Sequence, residues 1–178
     1  MLLKYIVKDN KYQNILDICT GSGAIAISIA KYTSANKIAA VDISKKSLAI
    51  AKKNATKNEV LDKLEFINSN MFKNIKEQYD LIISNPPYIR KNDINNLDEN
   101  VKKEPIIALD GGDDGLSFYR IIEKEAYNHL KENGYLVLEI GYDQKEDVTN
   151  ILSEKYTDIV CKQDLAGNDR VIICRKRW

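Results

Sequence analysis

Short apolar runs that end in glycine, asparagine or proline alternate with helical stretches of roughly ten to fifteen residues, and no other feature restricts the fold so tightly. The first run, residues 14–19, stops at Thr20-Gly21-Ser22-Gly23, and a helix follows over 24–32. A second strand over 37–42 leads to a helix that Ser44 caps and that runs to about Asn58, with Leu48 and Ala51 on its buried side. Strands over 63–68 and 79–84 come next, the latter stopped by Pro86 and Pro87. Helices over 117–131 and 143–156 flank a strand over 134–140, and 157–161 with 170–174 read as an antiparallel hairpin. Residues 89–115 are polar and too long for a passive loop. Strands alternating with helices build right-handed βαβ units and a largely parallel sheet. At 178 residues one domain is expected: a helical lead-in over 1–12, with Leu2, Leu3, Ile6 and Val7 at helical spacing, then a single α/β unit over 13–178.

Open parallel sheets bind ligands outside the carboxyl ends of their strands. The unusual local sequences all fall there: Thr20–Gly23, Asp42, Asn70-Met71 and Asn85–Tyr88. Gly21 and Gly23 permit a tight strand-to-helix turn and close approach of a ligand to bare backbone, and the helix behind them aims N–H groups at that ligand. Gly21-Ser-Gly23-Ala-Ile-Ala26 also fits the dinucleotide fingerprint, with Asp42 about twenty residues on to accept ribose hydroxyls. That half specifies an adenosine cofactor without saying which. Asn70 is placed to hydrogen-bond the base and Met71 to pack on it through its thioether. The run Asn85-Pro86-Pro87-Tyr88 narrows the choice. Two prolines leave carbonyls that only accept, beside the Asn85 side-chain oxygen. Acceptors converging on one point suit a planar –NH2 group, and Tyr88 supplies an aromatic face to cover it.

Residues 17–26 (Asp-Ile-Cys-Thr-Gly-Ser-Gly-Ala-Ile-Ala), 41–44 (Val-Asp-Ile-Ser) and 84–89 (Ser-Asn-Pro-Pro-Tyr-Ile) together resemble the HemK/PrmC family of N5-glutamine methyltransferases. So do Glu104-Pro105, Ala108-Leu109, 111–116 (Gly-Gly-Asp-Asp-Gly-Leu), 139–141 (Glu-Ile-Gly) and 164–171 (Asp-Leu-Ala-Gly-Asn-Asp-Arg-Val). The likeness runs through essentially the whole chain in order; Asn-Pro-Pro-Tyr is common to other amino-methyltransferases, and the 104–116 stretch makes the match specific. The resemblance implies a Rossmann-like class I fold with a seven-stranded, mostly parallel sheet and a C-terminal antiparallel hairpin. It also implies S-adenosylmethionine as cofactor and a protein substrate, the glutamine amide in the Gly-Gly-Gln motif of peptide-chain release factors. Carried onto this sequence, Cys19, Thr20, Gly21, Ser22 and Gly23 hold the methionine part, Asp42 the ribose, and Asn70 and Met71 the adenine. Asn85 also borders the cofactor; with Pro86, Pro87 and Tyr88 it positions the substrate amide, and Asn85, Pro86 and Tyr88 carry the catalytic role. Three departures stand out: Cys19 replaces a usual Gly, Asn70 replaces a usual Asp, and the family's N-terminal helical domain and linker have no counterpart here. A catalytic domain, with 1–12 as the remnant of a linker or of a missing N-terminal domain, is the expectation.

Composition bears on the alternatives. A net charge of +1 provides no general basic field for nucleic acid, which counts against a DNA adenine-N6 methyltransferase; Lys91, Lys102 and Lys103 are the nearby lysines in an otherwise acidic 89–115, and Arg175-Lys-Arg177 reads as solvated charge. The proline pair and the lack of a catalytic histidine or tyrosine–lysine set argue against a nicotinamide oxidoreductase, while a cofactor-binding module without turnover stays open. The sole histidine, His129, falls mid-helix, away from every strand end. Cys19, Cys161 and Cys174 lack metal-site spacing and are expected as reduced thiols, although Cys161 and Cys174 flank Gly167 almost symmetrically and a hairpin would let them face each other. No apolar run approaches the length of a membrane span. A cytoplasmic monomer that acts on protein is expected.

Overall fold

A computed structural model describes residues 12–99 and 101–177. Its elements in chain order are β1 (Asn14–Ile18), α1 (Ala24–Tyr32), β2 (Lys37–Asp42), α2 (Lys45–Lys57), β3 (Leu64–Asn68), β4 (Tyr79–Ser84), α3 (Ser117–His129), β5 (Leu130–Glu139), α4 (Lys145–Leu152), β6 (Tyr156–Gln163) and β7 (Asp169–Lys176). The lead-in expected over 1–12 lies outside the described residues except for Tyr12. One seven-stranded sheet has the order β3-β2-β1-β4-β5-β7-β6. The pairs from β3 to β5 are all parallel, and β7 inserts antiparallel between β5 and β6.

The central strands β1, β2 and β4 are covered on both faces, which is why they read as largely apolar runs, whereas the edge strands β3 and β6 carry exposed polar residues. Leu16, Ile18, Val41, Ile82, Leu136 and Leu138 enter one core with Tyr119, Ile122 and Tyr156. Their neighbours Ile15, Ile38, Leu81, Ile83 and Val137 enter the other, with Ile27, Ile29 and Val60. Ser44 caps α2 as its sequence predicts, its hydroxyl accepting from Ser47 N at 3.1 Å.

Several boundaries move for tertiary reasons. α3 stops at His129, two residues early, and β5 begins at Leu130 because Leu130 pairs with Tyr79. Regular pairing resumes only at Tyr135 opposite Leu81, and the intervening irregularity lets Lys131 reach Asp80 at 2.9 Å. His129 therefore ends its helix, its ring stacked on Phe72 at 5.3 Å. The hairpin is longer than predicted and absorbs the basic tail. Arg175 pairs with Asp158 at 2.8 Å, and Lys176 lies 4.5 Å over the Tyr127 ring, so these two charges are built into β7 rather than solvated. Cys161 registers with Ile172 and not with Cys174, which puts the two thiols on a diagonal instead of face to face; both are free. No helix among the described residues is long and apolar enough to cross a membrane.

The chain's path moves outward from β1 to β2 and β3, then returns to place β4 on the other side of β1. That reversal opens a crevice at the carboxyl ends of β1, β2 and β4.

Candidate active site

A cavity of about 520 Å³ occupies this crevice, within the range of small-molecule sites. Cys19, Gly21 and Ser22 after β1, Asp42 at the end of β2, Asn70 and Met71 after β3, and Asn85 and Pro87 after β4 all line it. Thr20, Gly23, Pro86 and Tyr88 stand outside the lining, for distinct reasons. The Thr20 hydroxyl is turned inward to donate to Asp17 Oδ2 at 2.6 Å. Gly23 faces α2: a Cβ there would lie 3.0 Å from both Ala51 Cβ and Ile27 Cδ1. Pro86 is buried beneath the strand end, and half-buried Tyr88 packs against the core.

The turn after β1 has unusual backbone. Cys19, Gly21 and Gly23 have φ of 60°, 55° and 82°, and Met71 across the cavity has 48°. The Cys19 thiol points at Met71 Sδ, 3.8 Å away, so the two sulfurs close one wall. Burial, with Asp42 and Asp17 nearby, pushes that thiol up to about 12, so it is inert as a nucleophile. Asp42 is braced by two backbone donors, Gly21 N to Oδ2 at 2.9 Å and Ser44 N to Oδ1 at 2.8 Å. Each oxygen has spent one lone pair and keeps another to accept a hydroxyl.

Asp17 carries a signal that the sequence reading passed over. It is fully buried, and burial raises its pKa from 3.8 to about 7, against the lowering effect of its bonds from Thr20 and Ala26 N. Oδ2 takes both bonds while Oδ1 has no partner. Because Asp17 accepts the Ala26 N–H, part of the donor capacity at the start of α1 is used internally. An acid within an apolar strand, Ile15-Leu-Asp-Ile18, was the available clue.

Among its described residues the long segment over 89–115 holds three 3-10 turns, Lys91–Asn96, Val101–Lys103 and Ile106–Ala108. It folds back so that Ile89 bridges Asp110, and Glu104, Pro105, Ile107 and Ala108 line the cavity together with Ile43 and Ile50. Phe118 of α3 completes that side. None of Ile43, Ile50, Ile107 or Phe118 was legible as a site residue, because isolated apolar residues carry no chemical signature. The apolar walls suit a flat ring and the braced Asp42 carboxylate suits vicinal hydroxyls, while the buried Asp17 carboxyl lies behind the wall, close enough to influence the Cys19 thiol. An adenosine cofactor fits such a donor set. Among the described residues no cluster of His, Cys, Asp and Glu could hold a metal ion.

Comparison with known proteins gives a consistent result. A family model described as methyltransferase small domain matches residues 1–112. The chain is 42% identical over 175 residues to a release factor glutamine methyltransferase of Clostridium botulinum, covering 96% of this chain and 62% of that protein. It is 43% identical over 176 residues to the protein of the same name from Lactococcus lactis, covering 96% and 64%. The chain thus spans under two thirds of the length of these curated relatives. Among solved structures, ribosomal protein L11 methylase from Lactobacillus delbrueckii superposes with a TM-score of 0.73 at 20% identity, over 99% of this chain and 78% of that one. At that identity the likeness speaks for the fold.

Proposed function

The chain belongs to the methyltransferase small domain family, and from that premise we propose that it methylates the side-chain amide nitrogen of a glutamine in a peptide-chain release factor, with S-adenosylmethionine as cofactor. Residues 13–178 form the catalytic unit. The observation that carries this reading is the meeting of two kinds of site in one cavity: Asp42 and Gly21 on the cofactor side, Asn85 and Pro87 on the other. The names of the similar proteins from Clostridium and Lactococcus support the substrate.

When bound, the cofactor supplies a methyl group made electrophilic by its sulfonium centre. Asp42 accepts the ribose hydroxyls, while Ile43, Ile50 and Met71 enclose the adenine, with Asn70 at its edge. Cys19, Gly21 and Ser22 border the methionine part, on a turn shaped by Thr20 and Gly23, and Asp17, once ionised, would provide negative charge behind it.

An amide nitrogen is a weak nucleophile because its lone pair is shared with the carbonyl. Asn85 Oδ1 and the Pro86 carbonyl accept its two hydrogens, so the nitrogen is aimed at the cofactor and positive charge developing on it is stabilised. Pro87 fixes the backbone that presents these acceptors, and Tyr88 covers the amide plane. Most of the rate is assigned to alignment, which can be worth about 7–11 kcal/mol. No strong base is required; the proton departs to water beside exposed Asn85.

Methyl transfer from labelled cofactor to an unmodified release factor tests the proposal, with double-stranded DNA as a parallel substrate. Label on the protein is expected. Label on DNA alone would replace the substrate class.

A further inference from the structure

Gln144 belongs to none of the groups discussed so far, yet it is among the few buried polar side chains of the described residues, with 2% of its surface exposed. It immediately precedes α4, and its amide is fully engaged. Nε2 donates to Tyr88 O at 3.0 Å and to Gly115 O at 3.2 Å. Oε1 accepts from Gly141 N at 2.9 Å and from Tyr119 Oη at 3.4 Å. The side chain therefore ties together three loops on one sheet edge: the end of Asn85–Tyr88, the glycine turn before α3 and the turn after β5.

Two of those loops are shaped to admit it. A Cβ on Gly115 would lie 2.7 Å from Nε2 and 2.6 Å from Tyr88 O, and one on Gly141 would lie 2.9 Å from Oε1. Gly111 packs directly on Tyr88, where a Cβ would meet the Tyr88 Cα at 2.8 Å. Tyr88 is thus held from behind by glycine backbone and by one amide. We propose that Gln144 is a positioning residue for amide methylation: by fixing the Tyr88 carbonyl it sets where the Asn85–Tyr88 acceptors stand relative to the cofactor. This rests on the function proposed above, but the clamp itself does not.

Gln144 is not among the residues that line the cavity, so its removal should leave cofactor binding alone while the acceptors drift. A displacement near 1 Å can cost about 100-fold in rate. For Gln144→Ala we expect kcat to fall roughly 30–100-fold, with cofactor Kd within about threefold. Gln144→Glu separates positioning from mere support. The introduced carboxylate keeps acceptors for Gly141 N and Tyr119 but cannot donate to two carbonyls; once protonated it donates again. Burial among carbonyls raises the pKa of such a carboxyl, so the activity of Gln144→Glu relative to the unmodified protein should recover as pH falls from 8 to 6.

Amide hydrogen exchange gives a readout that needs no turnover. Ile89 N donates to Leu109 O and Gly111 N to Ile89 O; these amides should lose protection in Gln144→Ala, while those of β1 and β2 keep theirs. Unchanged protection at Ile89 and Gly111, or equal loss of kcat at all pH values in Gln144→Glu, overturns the proposal. Loosened exchange in a protein that methylates no release factor would leave the clamp standing and remove the proposed substrate.

Discussion

At the scale of single residues, the groups proposed to hold the cofactor are distinct from those proposed to orient the amide. Asp42→Asn keeps the shape of the carboxylate but removes its charge and half its acceptors. Charge-assisted hydrogen bonds contribute about 1.5–3 kcal/mol, so cofactor Kd measured by calorimetry should rise roughly 10–100-fold, with kcat at saturation little changed. Asn85→Ala should do the reverse: kcat down about 100-fold and Kd nearly constant; equal losses in both would remove Asn85 from the acceptor role. Asp17 makes a different forecast. Its pKa in the fold is raised to about 7 from 3.8, so between those values the folded protein holds a proton that the unfolded chain has released. Stability due to Asp17 is therefore greatest below about pH 4, falls by up to ~1.4 kcal/mol per pH unit as pH rises towards 7, and is flat above. Urea titrations from pH 4.5 to 8.5 should show this slope in the native sequence and lack it in Asp17→Asn. A cationic cofactor favours the ionised form, so its affinity should climb with pH through the same window.

At the scale of elements, the turn between β1 and α1 is where sequence and packing meet. Gly23 has φ of 82° and no room for a Cβ, whereas Gly167 has φ of 85° with nothing within 4 Å. Gly167→Ala should then cost about 1–2 kcal/mol, from backbone strain alone, and Gly23→Ala about 1–3 kcal/mol more as α1 is pushed off α2; the difference is measurable by chemical denaturation. Most elements were legible because strands buried on both faces must be apolar and must end in turn residues, and 14–18, 37–42 and 79–84 do both. What escaped depends on distant partners. The early start of β5 is set by Leu130 meeting Tyr79, and the diagonal offset of Cys161 from Cys174 by irregular pairing in the hairpin. The site divided in the same way. Asp42, Asn85 and the glycines announce themselves by type and spacing, but the wall from Pro105 and Ile107 is assembled by a segment without periodicity, Phe118 joins it from the first turn of α3, and Gln144 reads as one more polar residue at a helix start.

For the molecule as a whole, the sheet reversal between β1 and β4 brings the residues proposed to hold the cofactor and those proposed to accept from the amide to one crevice, so binding should couple to global stability. At a cofactor concentration about 100 times Kd the fold gains about 2.7 kcal/mol, and a chain of this length should show a rise in Tm of roughly 5–10 °C. Asp42→Asn should blunt that rise and Asn85→Ala should preserve it. The central claim is that this one crevice methylates a glutamine amide. Tandem mass spectrometry of a release factor after incubation with the protein and S-adenosylmethionine tests it most directly, beside a release factor whose Gly-Gly-Gln glutamine is changed to asparagine. One added methyl on that glutamine nitrogen, and none on the asparagine form, is the predicted result. A methyl group on any other residue, or none on a release factor while the cofactor remains bound, would contradict the account.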